Sequence, residues 1–216
     1  MHIKRRAIPV FWPISRTGSK YNAVPSHDSE RAVPLVVFMR DVLGLVKNKK
    51  ELKKILNEKK VFVNGRVIKE ENFPLIFFDN LGLPAMKKYY RVWMNGKRYK
   101  LIEVSEQESH TRVYKIIGKR KISNEKIQIN LDNGKNLISS VKMKVGDFVI
   151  LDDLSNKIVR TVSLNKGDNV IALQGKHAGK EGKIKEIVQE GEEKIALIKS
   201  QAGEIKANIK NLYFFE

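Results

Sequence analysis

The stretch LQGKHAGKEGKI, residues 173–184, sets three glycines around Lys176, His177 and Lys180, the residue types from which phosphate-cradling loops are made. A nucleotide loop of the G-x-x-x-x-G-K-[ST] kind wraps backbone N–H groups round the phosphates and holds magnesium with the final hydroxyl. Here Gly175 and Gly179 are one residue too close, and Glu181 follows Lys180 in place of Ser or Thr. The dinucleotide pattern G-x-G-x-x-G fails too, because Gly175, Gly179 and Gly182 stand four and three residues apart. Both loops also require a helix immediately after them, whereas residues 183–188 alternate as a strand does. The glycines are therefore read as turn residues that present Lys176, His177 and Lys180 on a tight loop.

Other catalytic patterns are missing. There is no G-x-S-x-G elbow, no H-E-x-x-H helix and no cysteine, and His2, His27, His110 and His177 are too scattered to suggest a metal site. Asp152 and Asp153 are adjacent, so on a strand they would face opposite ways; a turn is the expected place for them. Glu190, Glu192 and Glu193, around Gly191, read as a solvated hairpin tip. The expectation is no enzyme, no cofactor, no metal and no small-molecule substrate.

Charge points to a different kind of partner. The 216 residues carry 42 Lys and Arg against 24 Asp and Glu, a net charge of +18. Such an excess opposes compaction and calls for a polyanion; nucleic acid comes first and an anionic membrane surface second. Basic residues outnumber acidic ones 5 to 2 over 1–30, 13 to 6 over 31–90, 15 to 8 over 91–165, and only 9 to 8 over 166–216. The basicity is not one tail. No apolar run is long enough to span a bilayer, so a soluble, intracellular chain is expected, with no membrane partner.

The elements that must position these charges divide the chain into four. Residues 1–31 hold Pro9, Pro13 and Pro25 without periodicity and read as an extended basic arm, ordered only on binding. In it Lys4, Arg5, Arg6, Arg16 and Lys20 would meet phosphates, with Phe11, Trp12 and Tyr21 available to stack on bases. Residues 32–88 open with a helical pattern from Leu35 to Val46, then a second helix begun by Asn48 and Glu51, a capping-box pair. Leu52, Ile55 and Leu56 form its apolar stripe, while Lys49, Lys50, Lys53, Lys54, Lys59 and Lys60 crowd its outer face and ends. Lys49 and Lys50 oppose the helix macrodipole, a local conflict that invites a functional reason. VFVNGRVI follows, where Asn64-Gly65 signals a two-residue hairpin leading to Arg66; Asn95-Gly96 and Asn133-Gly134 repeat the signal. Residues 89–164 contain only short strands, and 165–216 about five more, a small barrel closed by Tyr213, Phe214 and Phe215. The fold class is α+β, mostly β, and multidomain.

PLVVFMRDVLGLVKNKKELKKILNEKKVFVNGRVI resembles the two-helix-plus-hairpin RNA-binding module of several ribosomal proteins, pseudouridine synthases and tyrosyl-tRNA synthetases. Its hallmark, a basic helix entering V-x-V-N-G, is met by Val61 to Gly65, although Asn48-Lys49 stands where the module often has Ser-Arg. The stretch around Gly179 resembles a KOW motif, a strand–loop–strand of SH3-like barrels. The order is more telling than either: HIKR, Lys20-Tyr21, the helix–hairpin module, KVGDFVI at 144–150, then KOW. Taken together the chain resembles the archaeal and eukaryotic S-four-e (S4e) family of small-subunit ribosomal proteins, with a shorter arm before His2 than the family has. The resemblance implies a structural protein of the small ribosomal subunit, in the cytoplasm, that binds ribosomal RNA, including through Asn64, and touches neighbouring ribosomal proteins. For the loop at 175–180 it leaves RNA first and a protein second. An RNA-binding assembly or transcription factor, or an accessory part of an RNA-modifying enzyme, are the alternatives.

Overall fold

A computed structural model describes residues 2–122, 126–141, 143–190, 193–200 and 203–215. The chain separates into two compact units, Met1–His110 and Thr111–Glu216. The bulk of both is antiparallel sheet.

In the first unit, β1 (His2–Lys4) pairs with β2 (Tyr21–Ala23), and β3 (Val33–Pro34) leads into helix α1. Helix α1 is regular over Leu35–Val37 and widens to a π turn over Phe38–Val42, where the Leu43 N–H bonds the Phe38 carbonyl at 2.9 Å. Gly44, at φ +65°, closes it, so the helical pattern seen as far as Val46 stops early. Helix α2 spans Lys49–Asn57. There follow β4 (Phe62–Val63), β5 (Arg66–Val67), β6 (Pro74–Leu75, paired with β3), β7 (Asn80–Leu83), β8 (Lys88–Asn95), β9 (Arg98–Val104) and the short helix α3 (Glu106–His110). The main sheet has the order β5-β4-β7-β8-β9. The boundary expected at 88/89 thus falls inside β8, a strand that continues the sheet of the helix–hairpin module. Leu35, Val37 and Phe38 of α1, Leu52 and Leu56 of α2, and Val63, Leu81 and Val92 of the sheet are withdrawn from solvent.

The second unit holds two five-stranded sheets. The first, ordered β12-β11-β10-β13-β14, comprises β10 (Thr111–Lys121), β11 (Ile127–Leu131), β12 (Asn136–Ser139), β13 (Phe148–Asp152) and β14 (Lys157–Val162). Tyr114, Ile116, Ile129, Leu131, Met143, Val149 and Leu151 make its core. The second, ordered β18-β17-β16-β15-β19, comprises β15 (Asn169–Ala172), β16 (Glu181–Glu190), β17 (Glu193–Ser200), β18 (Gly203–Asn208) and β19 (Leu212–Phe214). Val170, Ala172, Ile184, Ala196, Ile198 and Leu212 form that core. Tyr213 and Phe214 are buried, and the Phe148 ring of the first sheet meets them at 5.4 and 6.4 Å between centroids. The acidic tip read at Glu190, Glu192 and Glu193 centres on residues outside those described.

The three Asn-Gly pairs become three different turns. At Asn64-Gly65 both residues have positive φ (50° and 74°) between the pairs Val63↔Arg66 and Phe62↔Val67, the two-residue turn expected there. At the second, Asn95 ends its strand opposite Arg98, so Gly96-Lys97 makes the turn and only Gly96 (φ 54°) is left-handed. At the third, the Gly134 N–H bonds Leu131 O and the Leu131 N–H bonds Lys135 O, a three-residue loop with Gly134 at φ 81°.

Candidate nucleic-acid interface

Helix α2 is built to show one cationic face. Asn48 caps it: its Oδ1 accepts the Glu51 N–H at 3.0 Å, and Glu51 Oε2 accepts the Lys47 N–H at 2.7 Å, one residue before the position a capping box would use. Leu52 and Leu56 seal the inner side. Lys50, Lys53 and Lys54 stand exposed on the other. Lys49 pairs with Glu71 at 2.8 Å, and that hydrogen-bonded ammonium holds the Glu71 carboxyl below its ordinary range against the opposing pull of burial. The macrodipole conflict at Lys49 is therefore partly relieved within the protein. The helix ends with Lys59 N–H on Leu56 O at 2.9 Å and Lys60 N–H on Ile55 O at 3.4 Å. This is a Schellman arrangement with Lys59, at φ 55°, in the left-handed place that glycine usually fills. Lys60 meets Glu58 at 2.5 Å.

The hairpin after α2 presents Arg66 on exposed edge strand β5. Asn64 has another role than the RNA contact expected of it. Its Nδ2 donates to Asp79 Oδ1 at 2.7 Å and its Oδ1 accepts the Asn80 N–H at 2.9 Å, clamping the turn onto β7. Asp79 Oδ2 takes the Ile76 N–H at 2.7 Å. Asn80 in turn accepts Arg91 Nε at 2.9 Å and donates to Ser109 O at 2.8 Å, while Arg91 Nη2 reaches Glu108 O at 2.6 Å. Bonds spanning up to 29 positions thus hold α3, the sheet and the basic hairpin in one geometry.

The arm is a correction. Residues 2–31 fold back on themselves through the β1–β2 pairing. Trp12, expected to stack on bases, is 2% exposed, and the Phe11 ring packs on Tyr99 at 5.1 Å. Tyr99 also donates its N–H to Phe11 O at 2.8 Å and its hydroxyl to Arg31 O at 2.9 Å. Arg5 is turned inward as a strut, donating to Ser19 O and Ser15 O at 2.6 Å and to Ser19 Oγ at 3.0 Å. Lys4, Arg6, Arg16, Lys20 and the Tyr21 ring remain exposed around it.

In the second unit the loop between β15 and β16 is closed by Gly179 N–H on Ala172 O at 2.6 Å and Ala172 N–H on Lys180 O at 3.1 Å. Gly175 and Gly179 take φ 90° and 78°. Gly182 has another reason: a Cβ there would lie 2.5 Å from Lys199 O, so β17 crosses where only glycine fits. Lys176 and Lys180 are exposed, whereas His177 is half-buried with Nδ1 buried and unpartnered. The 175–180 set and the α2 set lie in different units.

Lys115 was invisible to sequence reasoning. Its ammonium donates to Ile209 O, Lys210 O and Leu212 O at 2.9, 2.7 and 3.0 Å, beside the Phe148 and Tyr213 rings. Burial pushes its pKa down to about 8, with Asp132 opposing. It ties the first sheet to the chain leading into β19; its partners are about 95 residues away, and nothing local to Lys115 announces them. Of the adjacent aspartates, both expected in a turn, Asp152 ends β13 and accepts the Leu154 N–H at 3.0 Å, while Asp153, in the turn that follows, is buried on Lys135 and the Tyr114 hydroxyl. Among the described residues no group of three His, Cys, Asp or Glu could hold a metal, and no helix is long and apolar enough to cross a membrane.

The geometry defines a class first: a basic, multi-sheet protein whose charges sit on rigid elements. Comparison then gives the family. A model described as "Ribosomal family S4e" matches residues 86–158, and one described as "KOW motif" matches 166–199. The chain is 40% identical to small ribosomal subunit protein eS4 of Methanocella arvoryzae over 86% of its own length and 80% of that protein's. It is 35% identical to eS4 of Methanosphaera stadtmanae over 94% and 86%. The crystal structure of 30S ribosomal protein S4e from Thermoplasma acidophilum shares the fold at TM-score 0.72 and 23% identity, covering 86% of this chain and 95% of that one. The chain belongs to the eS4 family of small ribosomal subunit proteins.

Proposed function

We propose that this chain is a structural, non-catalytic constituent of the small ribosomal subunit that binds its ribosomal RNA and touches neighbouring subunit proteins in the cytoplasmic ribosome. The observation that carries the reading is the outer face of α2, where Lys50, Lys53 and Lys54 stand exposed on a helix sealed by Leu52 and Leu56. Cations fixed on a helix release counterions from RNA without first losing backbone entropy, and each phosphate neutralised steepens the salt dependence. Lys59, Lys60 and Arg66 extend this face, and Lys49, shared with Glu71, contributes less. The arm adds Lys4, Arg6, Arg16 and Lys20, with Arg5 and Asn64 acting through the shape they maintain. In this reading residues 165–216 form a KOW-type SH3-like barrel whose Lys176, His177 and Lys180 meet RNA backbone. Sedimentation of cell lysate in moderate salt tests it: stoichiometric co-migration with small subunits is expected, and recovery only in the free-protein fractions would refute it.

A further inference from the structure

The outer half of β10, with β11 and β12, forms a three-stranded ribbon that carries a second surface outside the sites above. Its register sets Arg120 beside Gln128 and Ile138, and Gly118 beside Asn130 and Asn136. The intervening rows, Lys119–Ile129–Leu137 and Lys121–Ile127–Ser139, turn the other way and place Ile127, Ile129 and Leu137 on the core. Alternation therefore puts Arg120, the three amides and Ile138 on one outward face. Ile138 is 65% exposed on the edge strand, and Gln128 Nε2 donates to Asn130 Oδ1 at 3.1 Å. Gly118 leaves the β10 side of its row without a side chain.

No carboxylate occurs in 117–122, 126–131 or 136–141, which instead carry Lys119, Arg120, Lys121 and Lys126. A face offering a guanidinium, three amides and one exposed apolar side chain matches unpaired RNA: phosphate for the cation, base edges for the amides, a base or ribose face for the isoleucine. Duplex RNA hides its major-groove edges in a deep, narrow groove and pairs its Watson–Crick edges, which leaves only the minor groove to the amides. We infer that this face docks a single-stranded segment of ribosomal RNA. The inference rests on the RNA-binding reading above and adds a base-contacting surface to its phosphate-contacting one.

Binding of the full-length chain to renatured small-subunit ribosomal RNA, measured across salt, tests it. Gln128→Ala with Asn130→Ala should weaken binding roughly tenfold with an unchanged salt slope, since base contacts release no counterions. Arg120→Ala should lower the slope by about one. The single Gln128→Ala serves if the double variant does not fold. Wild-type binding by all these variants, while Lys50→Glu with Lys53→Glu and Lys54→Glu still weakens it, overturns this inference alone. Wild-type binding by the helix variant as well removes the RNA-binding reading beneath it. Variants that bind bare RNA normally yet fail to stay in assembled subunits would assign the face to a protein and overturn the inference.

Discussion

Lys115→Met isolates the joint between the two sheets of the second unit. The wild-type amine is buried among three carbonyls and two rings, with its pKa pushed down to about 8 from 10.5. Between those values the unfolded chain binds more protons than the folded one, so stability rises with pH through that window. The ionisation penalty is fully imposed below pH 8 and absent above 10.5. At about 1.4 kcal/mol per pH unit the whole shift is worth about 3 kcal/mol. Methionine removes the titration but leaves three carbonyls, two of them part-buried, without their donor, a loss of about 1–3 kcal/mol. Urea unfolding from pH 7 to 10 should therefore give a wild-type stability that climbs relative to the variant by about 2–3 kcal/mol. Subtracting the variant cancels the titration of the other lysines. Parallel curves for the two proteins would refute the desolvated joint.

Three further outcomes follow from the same interactions. Asn64→Ala should lower stability by about 2–3 kcal/mol in urea melts, because buried Asp79 loses a partner and the turn loses its clamp on Asn80; a change under half of that would show the clamp to be dispensable. Gly182→Ala should cost about 2 kcal/mol or more in the same assay, since Lys199 O would sit 2.5 Å from the new methyl. Lys59→Gly should raise stability by about 0.5–1 kcal/mol by relieving a left-handed lysine, while weakening RNA binding by removing an exposed cation.

Sequence periodicity was most informative where local chemistry decides the structure. The strands expected between 89 and 164 and the Asn48–Glu51 cap are local decisions, and the structure has them, among others, at Arg98–Val104, Ile127–Leu131 and Asn136–Ser139. The turn at Asn95-Gly96 moved by one residue because the pairing of β8 with β9, extending from Tyr89↔Val104 to Asn95↔Arg98, decides which residues are central. Long-range partners were the hidden part. Phe11 looked like a base-stacking group because Tyr99, which lies far along the chain, gives no local sign of receiving it, and nothing local marks Trp12 for burial. Asn64 was legible as a turn residue and illegible as a clamp, since Asp79 and Asn80 are 15 and 16 positions on. The lysines of α2 needed only the helical period to be sorted from its apolar stripe, while Lys49's partner Glu71, twenty-two positions on, had no local sign.

The central claim, that the outer face of α2 meets RNA phosphates, is tested most directly by the salt dependence of ribosomal RNA binding. Lys50→Glu, Lys53→Glu and Lys54→Glu together leave Leu52 and Leu56 in place, and a carboxylate at 50 suits the helix start. The slope of log affinity against log salt should flatten by about two or more, at roughly 0.7–0.9 for each phosphate no longer neutralised. A slope equal to that of the wild-type chain, at equal thermal stability, would contradict the account.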